Sequence, residues 1–199
     1  FRPEQMDSYE LGFKTSYLDG AGNFDLVAFM YDYKDAQVIS YVDVDFEGDG
    51  VTDAFSGRVL NVGQTDGFGV EASTTVATSE NTTLYLSVGY LDTEATGLSE
   101  ICGADGAVEG DGLGCEGSRV FWAPEVTAAG KLDIDFPMQN GMIKSSIEVS
   151  YESERGGSWE GNPEGMIDAY AVTNMRIGYE SNDKWYIQAY TENLLDEFT

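Results

Sequence analysis

Apolar and polar residues alternate with a period of two along most of this chain, and a helical period is nearly absent. That pattern restricts the chain to sheet structures. In "YELGFKTSY", Tyr9, Leu11, Phe13 and Tyr17 fall on one face and Glu10, Gly12, Lys14 and Ser16 on the other. "VAFMYDY" places Val27, Phe29, Tyr31 and Tyr33 on its apolar face. "FGVEASTTV" sets Phe68, Val70, Ala72 and Val76 against Gly69, Glu71, Ser73 and Thr75, and "LYLSVGY" sets Leu84, Leu86, Val88 and Tyr90 against Tyr85, Ser87 and Gly89. "VTAAGKLDIDF" sets Val126, Leu132, Ile134 and Phe136 against Thr127, Lys131, Asp133 and Asp135. "IKSSIEVSYE" opposes Ile143, Ile147, Val149 and Tyr151 to Lys144, Ser146, Glu148 and Glu152. "AVTNMRIGY" and "WYIQAYTEN" continue with Met175, Ile177, Tyr179, Trp185, Ile187 and Ala189 on the apolar side, so that eight strands are expected.

The connections between these strands alternate in length. Short turns ("DGAGN", "TSEN", "PMQNG", "SNDK") separate long loops at about residues 35–62, 92–122 and 153–167. Short turns at one end and long loops at the other are the rhythm of an outer-membrane barrel, whereas a water-soluble sandwich has no reason to sort loop length by end. Lys14, Glu71, Lys131, Asp133, Glu148 and Arg176 would be costly in a dry core without partners, and suit a wet lumen. Tyr9, Tyr17, Tyr33, Tyr90, Tyr151, Tyr179 and Trp185 lie near strand ends, where interfacial aromatic girdles belong. The predicted fold is all-β, an antiparallel transmembrane β-barrel wall. The alternative is a soluble antiparallel sheet with one solvated face.

Charge and composition exclude several function classes. With 36 acidic against 10 basic residues, the formal net charge is −26 and the pI about 4.1. A polyanion of this kind repels nucleic acid and anionic surfaces, so no nucleic-acid partner is expected. The chain has no histidine, which removes His-dependent nucleophilic catalysis, His-based zinc sites and imidazole acid–base chemistry, and no activated nucleophile is apparent. It is therefore read as a non-enzyme. The two cysteines, Cys102 and Cys115, stand in the Gly- and Asp-rich "ICGADGAVEGDGLGC" without a CxxC pattern, and are read as a local disulfide in an oxidising compartment.

Several segments resemble the late barrel of TonB-dependent outer-membrane receptors. They are "FRPEQMDSYELGFKTSYLDGAGNFDLVAFMYDYKDAQV", "GFGVEASTTVA", "LYLSVGYLDTE", "WAPEVTAAGKLDIDF", "AYAVTNMRIGYE" and "WYIQAYTENLLDEF", in order over nearly the whole chain. The resemblance implies that residues 1–199 are the C-terminal part of the receptor barrel, about eight strands of about 22, with the plug domain and the N-terminal strands absent. It implies active uptake of a scarce nutrient across the bacterial outer membrane, with ferric siderophores the commonest substrate class. The implied partners are a TonB-type energy-coupling protein reached through the missing N-terminal part, a small-molecule ligand, and outer-membrane lipid and lipopolysaccharide. The long loops would be extracellular. A passive porin or surface-binding barrel, and a soluble calcium-dependent carbohydrate-binding β-module, are the alternatives.

Two sets of residues are candidate binding groups. In "DFEGDGVTD", Asp45, Glu47, Asp49 and Asp53 offer side-chain oxygens at positions one, three, five and nine, Gly50 supplies a turn and Val51 a backbone carbonyl. Alternating carboxylates around a glycine turn suit Ca2+, although Ser56 stands where a closing bidentate Glu is usual; the alternative is a solvated acidic loop. No organic cofactor is implied. Arg58, Arg119 and Arg155 fall one in each long loop, where they would meet an anionic ligand or lipopolysaccharide phosphates, or balance nearby acids.

Overall fold

The computed structural model describes residues 2–44, 46, 54–61, 63–97, 117, 119–120, 122–156 and 165–197, with the backbone alone at 38–44, 55–58 and 60. Its strands are β1 (Gln5–Tyr17), β2 (Gly22–Lys34), β3 (Gln37–Val44), β4 (Ala54–Asn61), β5 (Gln64–Ser79), β6 (Thr82–Thr96), β7 (Val126–Met138), β8 (Gly141–Glu152), β9 (Tyr170–Ser181) and β10 (Tyr186–Thr191). Eight of them form one antiparallel sheet in the order β1-β2-β5-β6-β7-β8-β9-β10. The eight expected strands are these eight. The sheet is open, part of the wall of a larger barrel.

Among the described elements, none packs against either face of this sheet. Ala95 is the one buried apolar residue among those described, while Leu11, Tyr9, Phe13, Met30, Leu86 and Ile187 are exposed. A two-layer sandwich would bury the residues that stand out here, so the wall's apolar side needs a solvent other than water.

Strand tilt follows from the register. One cross-strand row runs Tyr17–Gly22–Val76–Leu84–Leu132–Ile147–Met175. It begins at the β1–β2 turn, yet Met175 lies six residues up from Ser181, the turn end of β9. The stagger is therefore about one residue per strand step. With a rise of about 3.3 Å per residue and strands about 4.8 Å apart, the strands tilt by about 35°, as in closed barrels.

The connection at 35–62 departs from expectation. It is not simply a long loop, because β3 and β4 form a separate two-stranded hairpin, in register from Gln37↔Asn61 to Val44↔Ala54. Its base is tied to the segment leading into β1. Asn61 Nδ2 donates to the carbonyls of Arg2 (2.8 Å) and Asp35 (2.7 Å), and its Oδ1 accepts from the Arg2 N–H. Gln37 Nε2 donates to the Arg2 carbonyl at 2.9 Å, and the Gln37 N–H to Glu4 Oε1 at 2.8 Å. Arg2 also pairs with Asp35. The Gln37 N–H, and then the Tyr33 hydroxyl, hold the Glu4 carboxyl below its ordinary pKa. A carboxyl lowered on folding stabilises fully above its unfolded pKa, and that contribution is lost as pH falls through the folded value.

Asn61→Ala removes the hinge of this clamp. Net loss of about 1 kcal/mol from the exposed hydrogen bonds should speed amide exchange across Gln37–Val44 and Ala54–Asn61 roughly fivefold, with β1 and β2 unchanged. Hydrogen exchange read by mass spectrometry checks this, and equal protection in both proteins would show that the clamp does not hold the hairpin.

Candidate functional site

Residues directly opposite each other in an antiparallel pair share a face, so the register sorts every side chain. The apolar face carries Tyr9, Leu11 and Phe13 on β1, Leu26, Ala28 and Met30 on β2, and Phe68, Val70 and Ala72 on β5. It continues through Leu84, Leu86, Val88 and Tyr90, then Val126, Ala128, Leu132, Ile134 and Phe136. Ile143, Ile147, Val149 and Tyr151, then Met175, Ile177 and Tyr179, and finally Ile187 and Ala189 complete it. On each of the first four wall strands this run stops at an aspartate: Asp7, Asp32, Asp66 and Asp92. On β6 it fills the nine residues from Thr82 to Tyr90. At the tilt above, nine residues stand about 24 Å tall, close to the apolar band of about 25 Å in outer-membrane barrels. Tyr179 and Trp185 mark its lower border, with ring centroids 5.5 Å apart.

The acids above the band stand abreast. Asp7, Asp32, Asp66 and Glu94 are consecutive cross-strand partners. Lys34 pairs with one Asp32 oxygen, and Oδ1 of Asp32 is buried without a hydrogen-bond partner.

One strand is sorted opposite to expectation. Leu26, Ala28 and Met30 belong to the apolar face of β2, so Val27, Phe29, Tyr31 and Tyr33 lie on the polar side with Glu10, Gly12 and Lys14. Tyr33 is thereby removed from the outer girdle. Two glycines accommodate the bulky side chains: a Cβ built on Gly69 would collide with the Phe29 ring, and one on Gly67 with the Tyr31 ring. Each ring reaches across to the neighbouring strand's backbone, a close approach that only glycine permits.

Elsewhere the polar face carries charge balanced within the wall. Lys14 pairs with Asp25 at 3.0 Å, Lys131 with Asp133 at 2.8 Å and Lys144 with Glu180 at 2.7 Å. Lys131 also lies 5.1 Å over the Tyr85 ring. Glu10, Glu71, Glu148 and Arg176 make no ion pair among the described residues. This face, with its paired and unpaired charges and its two glycine-seated rings, is the candidate functional surface.

Of the three arginines expected to meet an anionic ligand or to balance nearby acids, two are engaged by acids. Arg119 pairs with Glu125. Arg155 pairs with Glu152, and its guanidinium lies 5.7 Å over the Tyr170 ring with Nη1 3.5 Å from the hydroxyl. Those contacts, the Tyr170 hydroxyl first, raise the Arg155 pKa above its ordinary value. Of Arg58 the backbone alone is described, opposite Ser40 in the hairpin. Asp45, Glu47, Asp49, Val51 and Asp53, and likewise Cys102 and Cys115, lie outside the described residues. Among the described residues, no cluster of carboxylates, Cys or His is arranged to hold a metal ion.

Comparison with known proteins agrees with this geometry. The family model described as "TonB dependent receptor-like, beta-barrel" matches residues 1–194. The chain belongs to the TonB-dependent receptor β-barrel family. Solved structures share the fold at low identity. The ferric yersiniabactin uptake receptor FyuA from Yersinia pestis is 17% identical, with a TM-score of 0.71 over 98% of this chain and 25% of its own. The siderophore receptor PiuA from Acinetobacter baumannii gives 17% identity and a TM-score of 0.70 over 98% of this chain and 25% of its own. The ferric preacinetobactin receptor BauA, also from Acinetobacter baumannii, gives 17% and 0.67 over 99% of this chain and 26% of its own. The chain thus spans about a quarter of the length of the receptors it resembles. No curated protein sequence matches the chain. The apolar face is therefore the lipid-facing side of an outer-membrane barrel wall, and the polar face lines the lumen.

Adjacent residues of β6 test the two faces. Leu86 points to lipid near mid-band and Ser87 to the lumen. Leu86→Arg should destabilise the barrel by about 2–4 kcal/mol in bilayers, and Ser87→Arg by less than about 1 kcal/mol. Urea unfolding of the full receptor in lipid vesicles measures both, and equal costs would overturn the face assignment.

Proposed function

We propose that the chain is the C-terminal part of the barrel wall of an outer-membrane receptor that takes up a ferric siderophore by TonB-dependent active transport. The observation that carries this reading is the charged lumen face of a receptor-family wall. In this reading a plug and a passing cargo occupy the lumen that this face lines. The relatives named above, described as receptors for ferric siderophores, support the cargo class. In this reading the long connections face the cell exterior and meet the ligand and lipopolysaccharide. A TonB-type energy-coupling protein acts through a part of the receptor outside residues 1–199. The Cys102–Cys115 bridge closes one outer loop, and Ca2+ occupies the 45–53 loop at the tip of the β3–β4 hairpin.

Deleting the receptor gene in the source bacterium should abolish growth on its ferric siderophore under iron chelation. The full gene should restore growth only while the energy-coupling protein is present. Iron-limited growth that is indifferent to the deletion, or uptake that continues without energy coupling, would refute the transport reading. Calcium is tested apart, by calorimetric titration of the intact receptor and its Asp49→Asn variant: heat of binding should appear in the parent and fall at least tenfold in affinity in the variant. Identical isotherms would remove the ion from the proposal.

A further inference from the structure

The lumen face is uneven in charge and texture. Its lysines are neutralised by acids of the same wall, Lys14 by Asp25, Lys131 by Asp133 and Lys144 by Glu180. Among the described residues the groups left over are mainly carboxylates, and two of them border the aromatic strip of β2. Glu10 is the direct cross-strand partner of Phe29, and Glu71 that of Val27, two residues along. Among the described residues the one lumen-facing cation without an ion pair, Arg176, stands on β9, five strands from β2 in sheet order. That is about 24 Å away at the usual strand spacing. The rim arginines Arg119 and Arg155 are held by Glu125 and Glu152.

Phe29 and Tyr31 occupy the space that a Cβ would take at Gly69 and Gly67, so both rings are seated against the wall, and both stay half-exposed. Rings seated in this way lose little rotamer freedom when a ligand stacks on them. Their π faces are electron-rich and attract cations and polarised C–H groups, and a nearby unpaired carboxylate adds to that attraction. A polyanion meets the same carboxylates, and among the described residues no unpaired lumen cation stands beside them on β1, β2 or β5 to offset them.

We propose that Phe29 and Tyr31, seated on Gly69 and Gly67 and bordered by Glu10 and Glu71, form a lumen-facing platform for a neutral or cationic ferric complex, and that this part of the wall disfavours polyanionic ones. The proposal rests on the uptake reading and narrows its substrate class. The carboxylates set the sign of the preference, and the rings supply the contact area.

The test uses the full receptor in detergent and three forms of one linear ferric trihydroxamate, identical around iron and differing only at the tail amine. The free amine is cationic, its N-acetyl form neutral and its N-succinyl form anionic. Equilibrium dialysis with radioactive iron should show the cationic and neutral forms binding at least tenfold more tightly than the anionic form at low salt, with the gap narrowing in 1 M salt. The double variant Phe29→Leu/Tyr31→Leu should weaken the cationic and neutral forms about tenfold, while heat-dependent gel mobility shows that its barrel is folded. The proposal is overturned if the anionic form binds as well as the others, if the double variant leaves the affinities unchanged, or if no form binds while iron-limited growth still needs the receptor. Should growth not need the receptor, the uptake reading falls, and the proposal with it.

Discussion

Hydrogen-bond closure in a medium without water is the constraint on which the rest of this wall depends. A lipid-exposed strand cannot leave its N–H and C=O groups unpaired, so each must find them on a neighbour. The eight wall strands do this in one antiparallel ladder, with in-register runs as long as that between β1 and β2, from Gln5↔Lys34 to Tyr17↔Gly22. A single register shift falls between Ala77 and Ser79 among the described pairings, and the outer edges of β1 and β10 call for further strands. Once the ladder is set, side chains have only two directions available. Lipid claims one and the lumen the other, and every later feature of the molecule is a consequence of that division.

The same division explains how so acidic a chain tolerates membrane burial. Its acids are confined to the lumen face, the strand tops and the connections, and the outer band from Thr82 to Tyr90 on β6 carries none. Within the lumen, lysines meet acids on their own strand or on nearby ones, so most cations are spent locally and carboxylates remain. The side-by-side acids Asp7, Asp32, Asp66 and Glu94 mark where the apolar run ends and exposure to water begins. Like charges opposite one another are unfavourable in a sheet, and Lys34 relieves only part of that cost at Asp32.

Most of the wall was legible in the sequence because a period of two is a direct record of two-sided burial. For seven of the eight strands the alternation identified the correct lipid side. β2 was misread because Phe29, Tyr31 and Tyr33 outweigh Leu26, Ala28 and Met30 in apolar bulk, and only pairing with Tyr9, Leu11 and Phe13 reveals which set faces lipid. The seat of the two rings on Gly67 and Gly69 was equally hidden, since it needs the β2–β5 register. The β3–β4 hairpin did leave a signal, the β-branched run "QVISYV", which lies inside the connection expected at 35–62. The engagement of Arg119 and Arg155 by acids six and three residues away depends on how the chain turns above the strands, which spacing alone does not show.

The stagger of the strands also sets the girth of the finished cylinder. Strands tilted by about 35° each take up about 6 Å of circumference, so a wall of about 22 encloses a bore roughly 40 Å across between backbones. Eight strands then cover little more than a third of the perimeter, and no side chain on them reaches the axis. A vessel of that width cannot be sealed by its own lining. In the proposed receptor a separate folded body inside the vessel would hold back water and solutes, and the charges left unmatched on this arc are among the surfaces it would touch.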